Sequence, residues 1–167
     1  MQNPSFRRVF SFGSSARTLA VAACLAAPLT ATRAAIPEVD VKVEVALAPG
    51  AVKAGSKSEA VVTLKPPSGI HINQYPPIRL TFENAPPVTF EPDSYKLGLD
   101  QMPDNPEKNP FTTVDPIKVK FRVAPHTADA KVPIKGKVKF FYCVAASGYC
   151  APGTKDVVFT VPVAAGP

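Results

Sequence analysis

The sequence predicts an all-β protein, because its short runs alternate between apolar and polar residues and its prolines are too frequent for long helices. Alternation with a period of two places one face of each run against a core. The chain contains 20 prolines, and a proline inside a helix costs about 3 kcal/mol. Turns rich in glycine and proline separate the runs.

Six runs alternate clearly, and each predicts a strand: 41–47, 59–65, 78–83, 117–123, 135–143 and 156–163. In the third run, for example, Ile78, Leu80 and Phe82 share one face and polar residues share the other. One buried face per sheet is typical of antiparallel packing. We therefore expect an immunoglobulin-like antiparallel β-sandwich of about seven or eight strands.

The first 34 residues predict a signal peptide, which leaves residues 35–167 for the sandwich. The leader contains arginines and no acidic residue, and its Ala/Leu-rich segment at 18–31 is shorter than the roughly 20 residues that span a bilayer. Thr32 and Ala34 supply the small residues that precede a cleavage site. We expect export to the periplasm and a soluble protein after cleavage before Ala35.

Two features of the leader bear on the export route. The arginine pair at 7–8 is typical of twin-arginine signals, but Ser11 and Phe12 depart from the usual continuation, so the general secretory route is favoured. Cys24 follows Val-Ala-Ala, as in a lipoprotein processing site. The apolar run before it is very short, which disfavours anchoring by a lipid at Cys24.

The positive charge of the chain belongs largely to the leader. The chain has 19 basic and 13 acidic residues, and four of the basic ones lie within residues 1–34. The remainder is 15 against 13, a net charge of +2. A nucleic-acid-binding protein needs clustered lysine and arginine, whereas these are scattered. We expect no nucleic-acid partner.

Residues 95–116 predict a long loop, since their prolines could not all lie within a sheet ladder. Loops of this length are uncommon in compact domains and often cover or bind something. A disordered insertion is the alternative. The aromatic Phe111, amid polar residues and prolines, favours a loop that packs against the sandwich.

Cys143 and Cys150 are the pair that remains once Cys24 leaves with the signal peptide. In an exported protein such a pair can oxidise, and it could be a structural staple or an exchange-active centre. Cys143 shares its strand face with Lys137 and Lys139, which disfavours a position in the deep core.

A metal site is the third alternative for the pair. Two thiolates do not complete tetrahedral zinc, and the spacing of His71 and His126 does not tie them to the cysteines. Copper(I), which accepts two soft ligands, stays open. We predict no cofactor and no metal.

The hairpin around the cysteines resembles the end of the amino-terminal periplasmic domain of the DsbD thiol:disulfide interchange family. The matching residues are Tyr142, Cys143, Gly148, Tyr149, Cys150 and Pro152. The stretches 68–82 and 105–123 are similar to that family's site-lining strand and its cap loop with the strand that follows.

The resemblance implies that Cys143 and Cys150 are a redox pair in an immunoglobulin-like domain. It implies that the pair takes electrons from a separate membrane protein and passes them to a periplasmic thioredoxin-like or disulfide-bearing protein. Phe111 falls where the family has an aromatic cap, and His71 and Asn73 fall near its site-lining strand. Tyr149 lies beside the pair, and we expect Cys150 to be the partner-facing thiol.

Three departures from the family pattern favour an alternative. Six residues separate the cysteines where the family usually has five, and Ala151 replaces a frequent proline or aromatic residue. The chain also has neither the membrane conduit nor the thioredoxin-like domain. The alternative function is a non-catalytic periplasmic interaction module in which the same disulfide is structural.

Overall fold

The computed structural model describes residues 39–106 and 109–166 and folds them into ten β-strands. Numbered in chain order, they are β1 Lys42–Leu47, β2 Val52–Lys53, β3 Lys57–Lys65, β4 Ile70–Ile72, β5 Ile78–Phe82, β6 Val88–Phe90, β7 Ser94–Leu97, β8 Ile117–Val123, β9 Ala130–Val144 and β10 Cys150–Ala164. They belong to a compact unit, Pro37–Pro167. The predicted signal peptide at 1–34 and Cys24 lie outside the described residues. Within the described ranges, no helix is long and apolar enough to cross a membrane.

The strands form two sheets with an immunoglobulin-like order. One sheet runs β1-β3-β8-β6, and the other runs β2-β10-β9-β5-β7, with β4 pairing to β9 as well. When the short β2, β4 and β7 are set aside, seven strands remain and can be counted in chain order. The first, second, fifth and fourth of these form one sheet (β1-β3-β8-β6), and the third, sixth and seventh (β5, β9 and β10) belong to the other. This is the strand order of a seven-stranded immunoglobulin domain. The predicted fold class is confirmed.

The core forms between the sheets because the strands alternate as predicted. In β8 the apolar residues from Ile117 to Val123 are buried, while Lys118 and Lys120 between them are exposed. The same alternation continues along most of β9. Phe121 is only 1% exposed and is the largest fully buried side chain among the described residues. Burial of a side chain of this kind stabilises the fold by about 1.5–3 kcal/mol.

Tyr95 joins the two sheets near one edge. From β7 its hydroxyl donates to the carbonyl oxygen of Lys120 on β8 at 3.1 Å and accepts from the N–H of Lys120 at 2.9 Å. Burial raises the pKa of the Tyr95 phenol above its usual value, and the hydrogen bond to the Lys120 backbone lowers it in part. The neutral hydroxyl, which both donates and accepts, is therefore the form that the fold favours.

All six strands predicted from alternation are present, and the structure adds four short ones: β2, β4, β6 and β7. Of these, β4 lies in the stretch 68–82, where the family resemblance had implied a strand. Each added strand has four residues or fewer, which is too short for alternation to show. The strand predicted at 135–143 begins earlier, at Ala130, and the one predicted at 156–163 begins at Cys150. Pro152 and Gly153 lie inside β10.

Three prolines sit inside β9 and β10 without disrupting their ladder. Val144 donates its N–H to the carbonyl of Tyr149, which fixes the positions of the hydrogen-bonded pairs along the hairpin. Pro133, Pro152 and Pro162 all fall at the alternate pairs, whose N–H groups would point away from the partner strand. Proline is tolerated there because no ladder hydrogen bond is lost.

The predicted loop packs against the sandwich. Its first residues belong to β7, so the loop begins at Gly98 rather than at residue 95. Phe111 donates its N–H to the carbonyl of Ile72 at 2.8 Å, and Gln74 donates its N–H to the carbonyl of Asn109 at 3.0 Å. The described part of the loop thus extends along the chain that follows β4, which agrees with the packed alternative rather than with an insertion lacking contacts.

Candidate functional site

Cys143 and Cys150 form a disulfide at the end of the β9–β10 hairpin. They are direct partners in the antiparallel register, and their Cα atoms are 4.0 Å apart. Residues 145–149 make the connection, in which Gly148 has a φ of +68°. Glycine adopts this conformation without the steric cost that a side chain brings. The bond is compatible with both the structural and the exchange-active hypotheses.

The two cysteines differ in exposure. Cys143 is 9% exposed, whereas Cys150 is half-buried. By alternation Cys143 shares the outer face of β9 with Lys137 and Lys139, as predicted, and it is not a member of the core cluster. It is nevertheless buried: β4 pairs alongside the end of β9, and the side chain of Asn73, just after β4, contacts its sulfur. Cys150 is therefore the more exposed cysteine of the pair.

The short strand β4 brings two of the predicted site residues to the disulfide. His71 is the direct register partner of Cys143, which in turn is the partner of Cys150. Directly paired residues place their side chains on the same face of a sheet. His71, Cys143 and Cys150 thus form a row across three strands, and the His71 residue is exposed.

Asn73 continues the line of β4 and contacts the disulfide itself. Its N–H donates to the carbonyl of Phe141 at 2.8 Å, which places it diagonally across from Cys143. The side-chain Nδ2 of Asn73 donates to Cys143 Sγ at 3.3 Å. Asn73 is 1% exposed and is the one buried polar residue of the described part of the chain.

The other end of the Asn73 amide is unusual. Its Oδ1 is buried and has no hydrogen-bond partner among the described residues. Leaving a buried polar atom unsatisfied costs about 1–3 kcal/mol, so an apolar side chain would serve better if packing alone mattered. The side chain at position 73 is nevertheless an amide, and its one hydrogen bond runs from Nδ2 to Cys143 Sγ. A buried unsatisfied group in a native structure calls for an explanation, and a redox or catalytic role is one of the known explanations.

A cleft of about 430 Å³ opens beside Cys150. It is lined by Asn73, Tyr75, Pro76, Pro106, Phe141, Gly148 and Cys150. Most of these side chains are apolar or aromatic, and Cys150 Sγ lies 3.6 Å from the carbonyl oxygen of Gly148. Tyr149 is 37% exposed and flanks Cys150 from the turn. The cleft gives another sulfur a route to Cys150.

The structure places Phe111 away from this cleft. Phe111 is half-buried and packs against the core, and with His71 it lines a separate depression of about 420 Å³. The described loop residue at the cleft beside Cys150 is Pro106. That Phe111 shields the disulfide therefore stays a prediction. Tyr75, Pro76 and Pro106 were missed as cleft residues. The aromatic residue and the proline close after Asn73 offered a signal for Tyr75 and Pro76, whereas nothing in the sequence marked Pro106.

Charged groups near the pair are few. Lys137 pairs with Asp156 at 3.1 Å, and Lys155 pairs with Asp40 at 3.3 Å. Lys139 lies on the face of Cys143 but four residues along β9, a separation of about 13 Å in a strand. Lys137 and Lys155 are thus engaged in ion pairs, and Lys139 is distant from the pair. In the described ranges, no group of three or more His, Cys, Asp or Glu residues could hold a metal ion.

Comparison with known proteins assigns no family to this chain: no family model matches the sequence, and no curated protein matches it. The site therefore has to be interpreted from its own geometry.

Proposed function

We propose that the protein is a thiol–disulfide exchange module that works through Cys143 and Cys150. The observation that carries the proposal is the asymmetry of the pair. Cys150 is half-buried and faces an apolar cleft, while Cys143 is buried and accepts a hydrogen bond from Asn73. A bond that served only to hold the hairpin would need neither the cleft nor the amide.

Exchange would begin when a thiolate of a partner protein enters the cleft and attacks Cys150 Sγ. The bond between the partner sulfur and Cys150 forms as the Cys143–Cys150 bond breaks, and the released electron pair goes to Cys143 as a thiolate. A second thiolate of the partner then attacks the partner's own sulfur and expels Cys150. The partner's two thiols become a disulfide, and this protein gains two electrons.

The reverse sequence would deliver those electrons to a disulfide-bearing protein. The Cys150 thiolate attacks the partner's disulfide, and Cys143 then attacks Cys150 Sγ to release the partner's second thiolate. The resemblance of residues 142–152 to the DsbD amino-terminal domain supports this direction. It also supports a periplasmic setting, a separate membrane electron donor and a thioredoxin-like or disulfide-bearing recipient.

A structural disulfide is the second candidate function, in a protein-interaction module without catalysis. The direct pairing of Cys143 and Cys150 in the register of one hairpin favours it, since the bond holds two strands that already hydrogen-bond to each other. Closing so short a loop stabilises the fold by about 2–3 kcal/mol in the chain-entropy model.

The reduction potential of the pair distinguishes the two functions. We expect a value above about −300 mV when the protein is equilibrated with graded ratios of reduced and oxidised dithiothreitol, because structural disulfides of exported proteins usually fall below that value. Alkylation and mass measurement of each mixture give the oxidised fraction. A potential below about −300 mV would support the structural staple and exclude exchange with cellular thiols.

A further inference from the structure

We infer that Asn73 is a positioning residue for the exchange: its side-chain N–H stabilises the electron pair released onto Cys143, which makes Cys143 the leaving sulfur and Cys150 the attacked one. This inference rests on the proposed function and adds a residue to it. Asn73 would act through Cys143 rather than by contact with the partner protein.

The contact between the amide and the sulfur is the first support. Nδ2 of Asn73 donates to Cys143 Sγ at 3.3 Å, in a position where Asn73 is 1% exposed. A disulfide sulfur is a weak acceptor, whereas a thiolate carries a full negative charge. The hydrogen bond therefore strengthens as the Cys143–Cys150 bond breaks, and an interaction that is stronger in the transition state lowers the barrier.

The surroundings of the amide are the second support. Asn73 is only 1% exposed, and an electrostatic contact gains strength when it is shielded from water. The opposite atom, Oδ1, has no partner among the described residues. The amide is thus held in place by its backbone hydrogen bond to Phe141 and by the sulfur, and not by a wider polar network.

The asymmetry of the two sulfurs is the third support. The polar neighbour of Cys150 Sγ is the carbonyl oxygen of Gly148 at 3.6 Å, which would accept from a thiol but would repel a thiolate. Cys143 has a donor where Cys150 has an acceptor. The pair is therefore arranged so that negative charge collects on the buried sulfur, while Cys150 faces the cleft.

Other titratable groups could also influence Cys143. His71 on β4 is its direct register partner, Lys139 lies further along the same face of β9, and Tyr75 lines the cleft. On β10 the direct neighbour is Cys150 itself. A protonated His71 would favour a thiolate at Cys143 as well. The test must therefore separate the contribution of Asn73 from that of the imidazole.

The test titrates Cys143 as the lone thiol. In a Cys24→Ala, Cys150→Ala background, the rate of alkylation is followed against pH. We expect Asn73→Ala and Asn73→Leu to raise the Cys143 pKa by about one unit, which leaves about tenfold less thiolate at neutral pH. The two variants both remove the donor, but the leucine keeps side-chain volume, so agreement between them separates the hydrogen bond from packing.

Gln74→Ala is the matched control. Gln74 is the next residue, and its Nε2 donates to Asn109 Oδ1 and to the carbonyl of Pro110 without touching sulfur. We expect the control to leave the Cys143 pKa in place. His71→Gln, measured in the same way, shows how much the imidazole contributes to the Cys143 pKa. Equal shifts for Gln74→Ala and Asn73→Ala would overturn the role of Asn73, because they would indicate general loosening.

The outcomes separate this inference from the proposed function. If the wild-type pair exchanges with glutathione and the Asn73 variants titrate like their parent, Asn73 has no role and the exchange function stands. If the wild-type pair does not exchange at all, the proposed function fails, and the use of Asn73 in it fails as well. A raised pKa in both Asn73 variants, together with exchange by the wild type, supports both.

Discussion

Cys143→Ala should form a stable mixed disulfide with glutathione disulfide, whereas Cys150→Ala should form one on the order of tenfold more slowly or not at all. In the first variant the lone sulfur is Cys150, which is half-buried and faces the cleft. In the second it is Cys143, which is 9% exposed and lies beside β4 in the sheet. With one cysteine missing, neither variant can resolve the mixed disulfide, so the adduct accumulates. The measurement is the mass of the protein against time, with Cys24→Ala in both variants.

Denaturation supplies the control for this comparison. In a concentrated denaturant both lone thiols are exposed, and we expect the two variants to react at similar rates. If the ratio of the two reaction rates falls to about one on unfolding, the difference in the folded state is due to the fold and not to the local sequence. Equal rates in the folded state, once each is corrected for the thiolate fraction of the lone cysteine, would contradict the account, because they would mean that Cys143 is as accessible as Cys150.

Gly98→Ala should lower the free energy of unfolding by about 3 kcal/mol, from overpacking and an unfavourable φ together. A Cβ at this position would lie 2.3 Å from the backbone oxygen of Gln74 and 3.3 Å from the ring of Phe111. Gly98 also has a φ of +120°, where side chains are strained. Because Gln74 follows Asn73, the clash pushes directly on the segment that carries the amide. Denaturant unfolding measures the loss.

Gly50→Ala is the matched control for the glycine. Gly50 has a φ of +94°, but a Cβ there would meet nothing within 4 Å. It therefore carries the backbone cost without the clash, and we expect a loss of about 1 kcal/mol. Similar losses at the two positions would show that the loop yields to the added methyl group, and that the packing of Gly98 against Gln74 is not tight.

Much of the fold could be predicted from the sequence because the long strands keep a strict alternation. β8 is the clearest case: its bounds, 117–123, are those predicted, since every second residue is apolar and faces the core. β4 and β7 could not be found in this way. β4 has three residues, and it exists because it pairs with the end of β9, a contact between distant parts of the chain. Residues 95–97 of β7 were assigned to the long loop, because a strand of four residues is too short for alternation to show.

Part of the candidate site could be predicted. The cysteines, His71 on β4 and Asn73 just after it were named from the sequence and lie together in the structure. The sequence could not distinguish the position of His71 from that of Asn73, because two residues that are two apart in a strand lie on the same face. The pairing of β4 with β9 leaves His71 exposed and Asn73 buried against Cys143. That difference depends on the register of two strands about 70 residues apart.

In the long loop, the sequence did not indicate which residue lies at the cleft. Phe111 was favoured because it is an aromatic residue among polar ones, and it does pack, but with Gly98 and the core. Pro106, a residue with no distinguishing pattern, lies at the cleft instead. Which loop residue faces a site is decided by the path of the backbone, and alternation carries no information in a segment without regular pairing.

The most direct test of the central claim is to locate the first sulfur that an attacking thiolate reaches. Oxidised wild-type protein is mixed with glutathione, the reaction is stopped with acid, and the free thiol is alkylated. Peptide mapping then shows which cysteine carries glutathione. The account predicts glutathione on Cys150 and the alkyl group on Cys143. Glutathione on Cys143 would contradict it. So would the absence of any glutathione adduct on the folded protein, if the unfolded protein forms one under the same conditions.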